Sequence, residues 1–196
     1  MDIEIKEHDV IKGLYYIEKI MTEEEEKELI KNINSNDWLS ELTRRVQHYG
    51  YKYNYKKRKI EKDDFLGELP DWTKELEKKI FKVINENNDR IKLSYSKFDQ
   101  LIINEYKKNQ GISPHIDCVP CFEDGIISVT IGNFGIMTFS NPDTKEEYDV
   151  RLKRRSVVIL TSDARYKWTH EINKTKNKNF ENVYPRISLT FRKGIL

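Results

Sequence analysis

Two stretches of the chain carry apolar residues at helical spacing, with polar residues between them. The first follows Thr22, which forms a capping box with Glu25, and the pattern predicts a helix that extends to about Asn34. The second begins at Pro70 and predicts a helix to about Asn87. We expect the consecutive glutamates that open the first helix to be solvated, and both helices to support a sheet.

From about residue 98 onward, short apolar runs alternate with turn-forming residues. Short strands at this spacing predict a β-sandwich or a jelly roll. The fold class is therefore a β-rich α+β fold, in which N-terminal helices buttress a jelly roll. The candidate strands are 99–106, 126–132, 134–140, 147–152, 155–161, 165–171 and 185–192.

Length and composition predict one domain that spans residues 1–196, with 35% charged and 37% hydrophobic residues. No apolar run is long enough to cross a bilayer, and residues 1–7 lack the pattern of a signal peptide. The two cysteines, Cys118 and Cys121, favour a reducing compartment over a disulfide scaffold. We therefore expect an intracellular monomer, cytoplasmic or nuclear, without a membrane partner.

His115, Asp117 and the distant His170 indicate a metal site. If His115 and Asp117 lie on a strand, their side chains share a face, because strand side chains alternate. A second histidine completes a set of two imidazoles and one carboxylate, which suits Fe(II) and leaves positions open for a co-substrate and O₂. The H-x-D pair alone is a weak signal, since a solvated polar strand end has the same pattern.

Arg186 and Arg192 lie six residues apart on the last candidate strand. Apolar residues occupy the opposite parity, so the two arginines and Ser188 face one way. Such a face is costly to bury without an anion, and guanidinium groups bind carboxylates bidentately. The pattern predicts a site for a diacid; we take Arg186 to bind its distal carboxylate and Arg192 to lie near its metal-bound end.

Four motifs follow one another in the second half of the chain, and their order is more specific than any one of them. They are Asn104-Glu105-Tyr106, His115-Ile116-Asp117, Trp168-Thr169-His170 and the run from Arg186 to Arg192, R-I-S-L-T-F-R. This set resembles the N-x-Y, H-x-D, distal-H and R-x-N-x-T-x-R pattern of the AlkB family of nucleic-acid dioxygenases, over about residues 44–193. Residues 110–117 and 165–170 look most like the tRNA-modifying branch, whereas Ser188 departs from the asparagine of repair-type members.

The resemblance implies a double-stranded β-helix and the cofactors Fe(II) and 2-oxoglutarate. It implies that the catalytic iron ligands are His115, Asp117 and His170. The residues implied to bind 2-oxoglutarate are Asn104, Tyr106, Arg186, Ser188 and Arg192. The implied reaction is hydroxylation or oxidative demethylation of a modified nucleobase by a dioxygenase, with RNA, and tRNA in particular, favoured over DNA.

Residues 41–60 contain seven Lys or Arg and one acidic residue, on a chain with a formal net charge of +2. On a strand, the alternating tyrosines of this segment would share one face, where rings stack on bases and cations meet phosphates. A half-buried strand with tyrosines packed on the core is the alternative. The resemblance implies a nucleotide-recognition lid at about 40–60 and a catalytic core at about 98–193. The candidate substrate-binding residues are Arg44, Arg45, Tyr49, Tyr51, Tyr53, Lys57 and Arg58, with Arg165 and Trp168 in the pocket wall.

Two other functions fit the same residues. A protein hydroxylase on this scaffold would use the basic segment to bind an acidic peptide. A catalytically silent nucleic-acid-binding module would use only that segment. The metal triad and the two aligned arginines argue against the silent module, since it would need neither.

Overall fold

Two antiparallel β-sheets enclose a cavity and part of the hydrophobic core between them. The computed structural model describes residues 3–40, 42–54, 57, 59–174 and 184–196. The strands in these ranges are β1 (Ile5–Glu7), β2 (Leu14–Ile17), β3 (Val46–Gly50), β4 (Gln100–Tyr106), β5 (Ile112–His115), β6 (Ile126–Ile131), β7 (Gly135–Ser140), β8 (Glu147–Leu152), β9 (Ser156–Leu160), β10 (Thr169–Ile172) and β11 (Arg186–Arg192). The larger sheet has the order β1-β2-β9-β6-β11-β4-β3, and the smaller has the order β5-β10-β7-β8. This is the predicted double-stranded β-helix, or jelly roll.

Two helices pack on the outer face of the larger sheet. They are α1 (Glu23–Asn34) and α2 (Lys74–Glu86), close to the predicted positions. The capping box is present, because the Glu25 amide donates to Thr22 Oγ1 and the Thr22 amide donates to Glu25 Oε2. Apolar side chains of both helices share one buried cluster with the larger sheet, so the helices buttress it as predicted. No helix in the described ranges is long and apolar enough to span a bilayer.

Alternation along β11 separates the core under the helices from the cavity between the sheets. Ile187, Leu189 and Phe191 are buried in the cluster that includes the helices. The residues of the other parity, from Arg186 to Arg192, border the cavity. The orientation predicted for the two arginines is therefore confirmed.

The predicted strand 165–171 is wrong in its first half. A short helix, α3 (Ser162–Tyr166), precedes β10, which begins at Thr169. The helical turn closes because the Lys167 amide donates to the Asp163 carbonyl at 2.8 Å. The buried residues of this segment thus point inward from a helical turn, and local alternation did not distinguish that turn from a strand.

The segment of alternating tyrosines is not one continuous strand. β3 ends at Gly50, whose φ is +72°, and a Cβ there would lie 1.9 Å from the Asp99 carbonyl oxygen. Beyond Gly50, the described residues of the segment form isolated bridges at Tyr51 and Asn54. The prediction that the tyrosines share one face is wrong, because the positive φ of Gly50, which favours glycine, interrupts the pleat. Tyr55 lies outside the described residues.

Glu26 is fully buried, although the glutamates at the start of α1 were expected to be solvated. Its carboxylate accepts hydrogen bonds from the Gly132 amide at 2.8 Å and from Arg154 Nη2 at 2.7 Å. Arg155 Nη1 lies 3.6 Å from Glu26 Oε2. A buried and paired charge therefore ties α1 to the β6–β7 and β8–β9 turns, which connect the two sheets.

We expect Glu26→Ala to lower the free energy of unfolding by about 2–3 kcal/mol, because the buried Gly132 amide and Arg154 lose their acceptor. Urea denaturation followed by circular dichroism measures this change. The matched control is Glu24→Ala, an exposed residue of the same helical turn, which should change stability by less than about 1 kcal/mol. Equal effects of the two substitutions would contradict a tethering role for Glu26.

Candidate active site

The residues predicted to bind the metal and the co-substrate line one cavity of about 450 Å³ between the sheets. They are Asn104, Tyr106, His115, Asp117, His170, Arg186, Ser188 and Arg192. Pairing of β4 with β11 in the larger sheet, and of β5 with β10 in the smaller, brings these distant parts of the chain together. The predicted clustering of the four motifs is therefore confirmed.

His115, Asp117 and His170 form a compact cluster, in which one potential ligand atom of each lies within 4.8 Å of the others. The two histidines are direct partners across β5 and β10, and their ring centroids are 4.4 Å apart. His115 Nε2 lies 3.9 Å from Asp117 Oδ1. His115 Nδ1 lies 2.8 Å from the Ser113 carbonyl. With its proton on Nδ1, the ring donates there and leaves Nε2 free for a metal.

Asp117 lies in the loop after β5, so the prediction that both residues of the H-x-D pair lie on a strand is wrong. The register of β5 with β10 ends at His115, and two arginines hold the loop beyond it. Arg192 Nη2 donates to Asp117 Oδ1 at 2.9 Å, and Arg165 Nη1 donates to the Asp117 backbone carbonyl at 2.8 Å. These contacts, and not the pleat, direct the carboxylate toward the histidines.

The electrostatics of the triad suit a bound cation. Burial raises the pKa of Asp117, but the positive charge of Arg192, the largest opposing cause, holds that pKa well below the usual range. Burial and the neighbouring His115 lower the pKa of His170 to about 3, so this ring is neutral at neutral pH. Asp117 Oδ2 and His170 Nδ1 are buried without a hydrogen-bond partner among the described residues. An ionised carboxylate and two imidazoles on one side of an ion fit Fe(II).

Arg186 lies at the end of β11 opposite Arg192 and is 1% exposed. Its Nη2 donates to Thr130 Oγ1 at 3.0 Å, and its guanidinium carbon lies 5.2 Å from the Tyr106 ring centre. Its Nε and Nη1 have no hydrogen-bond partner in the described part of the chain. Burial lowers the pKa of Arg186 to about 10, so the group is charged at neutral pH. A buried cation with unpaired N–H groups is costly unless an anion binds, and the residues here fit a carboxylate of 2-oxoglutarate.

Polar side chains on β4 and β6 contact the polar residues of β11 that border the cavity. The sequence pattern did not identify these neighbouring residues. Arg192 Nη1 donates to Gln100 Oε1 at 3.1 Å, and the hydroxyl oxygens of Ser188 and Ser128 are 3.2 Å apart. Ser128 and Thr130 alternate with apolar residues along β6. That alternation is a local signal that Ser128 and Thr130 face inward. That β6 pairs with β11 is known only from the order of the strands in the sheet.

Of the candidate substrate-binding residues, Arg44 and Tyr53 line the cavity. Arg44 Nε donates to Asn104 Oδ1 at 2.7 Å. Tyr53 packs against Phe122, with ring centroids 6.0 Å apart. The segment 41–60 thus brings one cation and one aromatic ring to the cavity, which are the two groups that nucleotide recognition uses.

Tyr49 and Tyr51 are used for packing elsewhere. Tyr49 meets Trp72 edge-on beneath the helices, with ring centroids 5.7 Å apart. Tyr51 packs against Phe65, with ring centroids 4.8 Å apart. Neither ring lines the cavity, so the structure does not bring these two tyrosines to the metal site together with Arg44 and Tyr53. The cause is the end of β3 at Gly50, which sends the tyrosines in different directions.

Two candidate phosphate-binding cations are paired with carboxylates outside the cavity lining. Arg45 donates to both carboxylate oxygens of Glu105. Lys57 Nζ lies 3.0 Å from Glu61 Oε2. Arg58, a further candidate cation of this segment, lies outside the described residues. The basic run is therefore less available for phosphate than its sequence suggests.

Arg165 and Trp168 lie behind the cavity wall. Arg165 is 2% exposed and donates to three backbone carbonyls of the loop 117–122. Trp168 is 5% exposed and packs against Tyr148 in the core between the sheets. Both are enclosed by the elements that support the metal loop, so the structure does not bring them to the surface of the cavity.

Cys118 and Cys121 are joined by a disulfide, which the expectation of a reducing compartment did not include. The Cys121 amide donates to the Cys118 carbonyl, and this turn brings the two Cα atoms to 5.2 Å, within disulfide range. The bridge closes the loop that follows Asp117. It is local, because it joins residues only three apart.

Comparisons with known proteins agree with this geometry. A family model described as "2OG-Fe(II) oxygenase superfamily" matches residues 13–192. The chain is 33% identical to "Alkylated DNA repair protein ALKBH8 homolog" of Arabidopsis thaliana, over 93% of this chain and 58% of that protein. It is 36% identical to "tRNA (carboxymethyluridine(34)-5-O)-methyltransferase ALKBH8" of Mus musculus, over 94% of this chain and 27% of that protein. The chain therefore spans about half and about a quarter of these relatives' lengths.

The fold is also similar to that of a solved structure, "The structure of OsALKBH1". The similarity covers 97% of this chain and 100% of that chain, with a TM-score of 0.76. Sequence identity is 14%, so this similarity concerns the fold alone.

We expect Arg165→Ala to weaken Fe(II) binding by about tenfold to a hundredfold, because the loop that carries Asp117 loses three hydrogen bonds. Anaerobic calorimetric titration measures the affinity. Arg165→Lys retains a donor and should recover part of it, and Arg151→Ala, an exposed residue of β8, is the matched control. Unchanged metal affinity in Arg165→Ala would overturn this role.

We expect Arg186→Ala to weaken 2-oxoglutarate binding by about 1.5–3 kcal/mol, or roughly tenfold to a hundredfold, because a charge-assisted pair is lost. Titration of the metal-loaded protein with 2-oxoglutarate measures this, and metal affinity, measured separately, should remain within about threefold. Normal 2-oxoglutarate affinity in this variant would assign the distal carboxylate to another residue.

Proposed function

This chain belongs to the 2OG-Fe(II) oxygenase superfamily and is AlkB-like, and we propose that it oxidises a modified nucleobase within a nucleic acid. The reaction is hydroxylation or oxidative demethylation. The favoured polymer is RNA, and the favoured RNA is tRNA.

One observation carries the proposal: a single cavity presents a three-ligand metal cluster and a buried guanidinium that lacks partners for two of its nitrogens. His115, Asp117 and His170 supply the cluster. Arg186 supplies the guanidinium, at the far end of β11 from the arginine that binds Asp117. A site for a metal and a site for a carboxylate in one cavity are what a dioxygenase that consumes a 2-oxoacid requires.

Different residues of the cavity bind the metal, bind the co-substrate and orient their neighbours. When bound, Fe(II) and 2-oxoglutarate supply the oxidising chemistry, and the protein supplies position. The triad holds the metal from one side, while Arg186 binds the distal carboxylate of the co-substrate. Arg192 keeps Asp117 ionised and directed at the histidines. Arg44 orients the amide of Asn104 at the cavity wall.

Several features support a nucleic-acid substrate and favour RNA. The mouse relative is named as a tRNA methyltransferase and the Arabidopsis thaliana relative as a DNA repair homologue. Residues 110–117 and 165–170 resemble the tRNA-modifying branch, and Ser188 departs from repair-type members. Arg44 and Tyr53 place a cation and a ring at the cavity, where an unstacked base could bind.

The organisation of the chain belongs to the same proposal. We propose one domain over residues 1–196, with a catalytic core at about 98–193 and a nucleotide-recognition lid at about 40–60. The lid acts through Arg44 and Tyr53, and not through a row of tyrosines. We further propose that the domain acts inside the cell as a monomer.

Succinate release from 2-oxoglutarate tests the substrate class. Purified tRNA, mRNA-like RNA, single-stranded DNA and an acidic peptide are offered in parallel, and we expect tRNA to stimulate succinate release most. Mass spectrometry of the tRNA then separates the two reactions. A retained hydroxyl adds the mass of one oxygen, whereas demethylation removes a methyl group and releases formaldehyde.

The His170→Ala protein is the control and should release no succinate, since it lacks one metal ligand. Stronger stimulation by the acidic peptide than by any nucleic acid would replace the proposal with a protein hydroxylase. Oxidation of 2-oxoglutarate that no nucleic acid stimulates would overturn the substrate class while leaving the family assignment intact.

A further inference from the structure

The basic run at 41–60 offers little free charge to a polyanion within its described residues. Arg44 is 7% exposed and donates to Asn104, and Arg45 is paired with Glu105. Lys57 and Lys59 share one carboxylate, that of Glu61. If a nucleic acid approaches the cavity, other cations must therefore meet part of its backbone charge.

Two unpaired cations lie on the turn between β4 and β5. Lys107 and Lys108 are exposed, and neither has an ion-pair partner among the described residues. The residues on either side of the turn 107–110, Tyr106 and Gly111, both line the cavity. The turn that carries the two lysines is thus directly continuous with the wall of the cavity.

The turn is fixed in place by contacts on both sides. The Gln110 amide donates to the Lys107 carbonyl at 3.0 Å, and Gln110 Nε2 donates to the Thr43 carbonyl at 2.8 Å. Gly111 packs so closely on β10 that a Cβ there would lie 2.1 Å from the Ile172 carbonyl oxygen. The rim is therefore tied to the start of the lid segment at Thr43, and its shape does not depend on a bound ligand.

We propose that the turn 107–110 binds the phosphodiester backbone of the single-stranded nucleic acid whose base enters the cavity. The inference rests on the proposed function. A base that reaches a buried metal must leave its stack, which places the phosphates beside it at the rim of the pocket. Two lysines on a fixed turn meet those phosphates through charge, and they do so without reading the base.

The test uses the variant Lys107→Gln/Lys108→Gln, which removes two charges without adding repulsion. The matched control is Lys27→Gln/Lys92→Gln, which removes the same charge from exposed positions on α1 and near α2. Fluorescence anisotropy measures binding of labelled oligouridine, oligothymidine and polyglutamate over a range of salt concentrations. Thermal unfolding of each variant verifies that the fold is retained.

We expect the rim variant to bind oligouridine about tenfold more weakly, with a salt slope reduced by about 1.4 for two lost phosphate contacts. The control should bind like the wild type. An equal loss of affinity for oligothymidine indicates contact with the phosphodiester backbone that both polymers share. A greater loss of affinity for oligouridine indicates an additional contact with the ribose.

Unchanged affinity and salt slope in the rim variant, with binding intact in the wild type, would overturn this inference and leave the proposed function standing. A wild-type protein that binds neither oligonucleotide would overturn the proposed function as well. If polyglutamate binds more tightly than oligouridine, and the rim variant loses that binding, the partner is an acidic protein segment and the nucleic-acid assignment is wrong.

Discussion

The buried carboxylate of Asp117 is the constraint on which the site depends, because an ionised group out of contact with water must be balanced by nearby charge. Arg192 binds the carboxylate directly, and His115 and His170 stand beside it. Arg165 holds its backbone from behind. These partners come from β5, α3, β10 and β11, so the charge can be buried only when both sheets are assembled. The three potential metal ligands therefore come together only in the complete fold.

One strand serves both the stability of the fold and the chemistry of the site. The apolar row of β11 fills the core under the helices, and its polar row faces the cavity. The strands on either side complete the polar row, since Gln100 of β4 holds Arg192 and Thr130 of β6 holds Arg186. The strict alternation of a strand keeps these two environments apart without any irregularity in β11.

The distribution of charge shows how far composition can mislead. The segment 41–60 has the densest positive charge in the sequence, but Arg44 and Arg45 turn to partners on β4. Lys107 and Lys108 occupy a short turn with no conspicuous composition, yet both are exposed and neither has an ion-pair partner within the described ranges. A cation is available to a ligand only if the fold leaves it without a carboxylate, and sequence density does not report that.

The sequence by itself determined the two helices, most strands, the facing of β11 and the membership of the metal triad. All of these follow from local periodicity or from the order of the motifs along the chain, which can be seen without the fold. Only the tertiary structure decided that Asp117 leaves the strand, that Arg165 supports its loop and that Tyr49 joins the core. Each depends on a partner far away in sequence, as for Arg165 and Asp117, whose sequence separation is 48. Local pattern reports which face of an element is buried, but the partner of a buried polar group is set by the packing of distant elements.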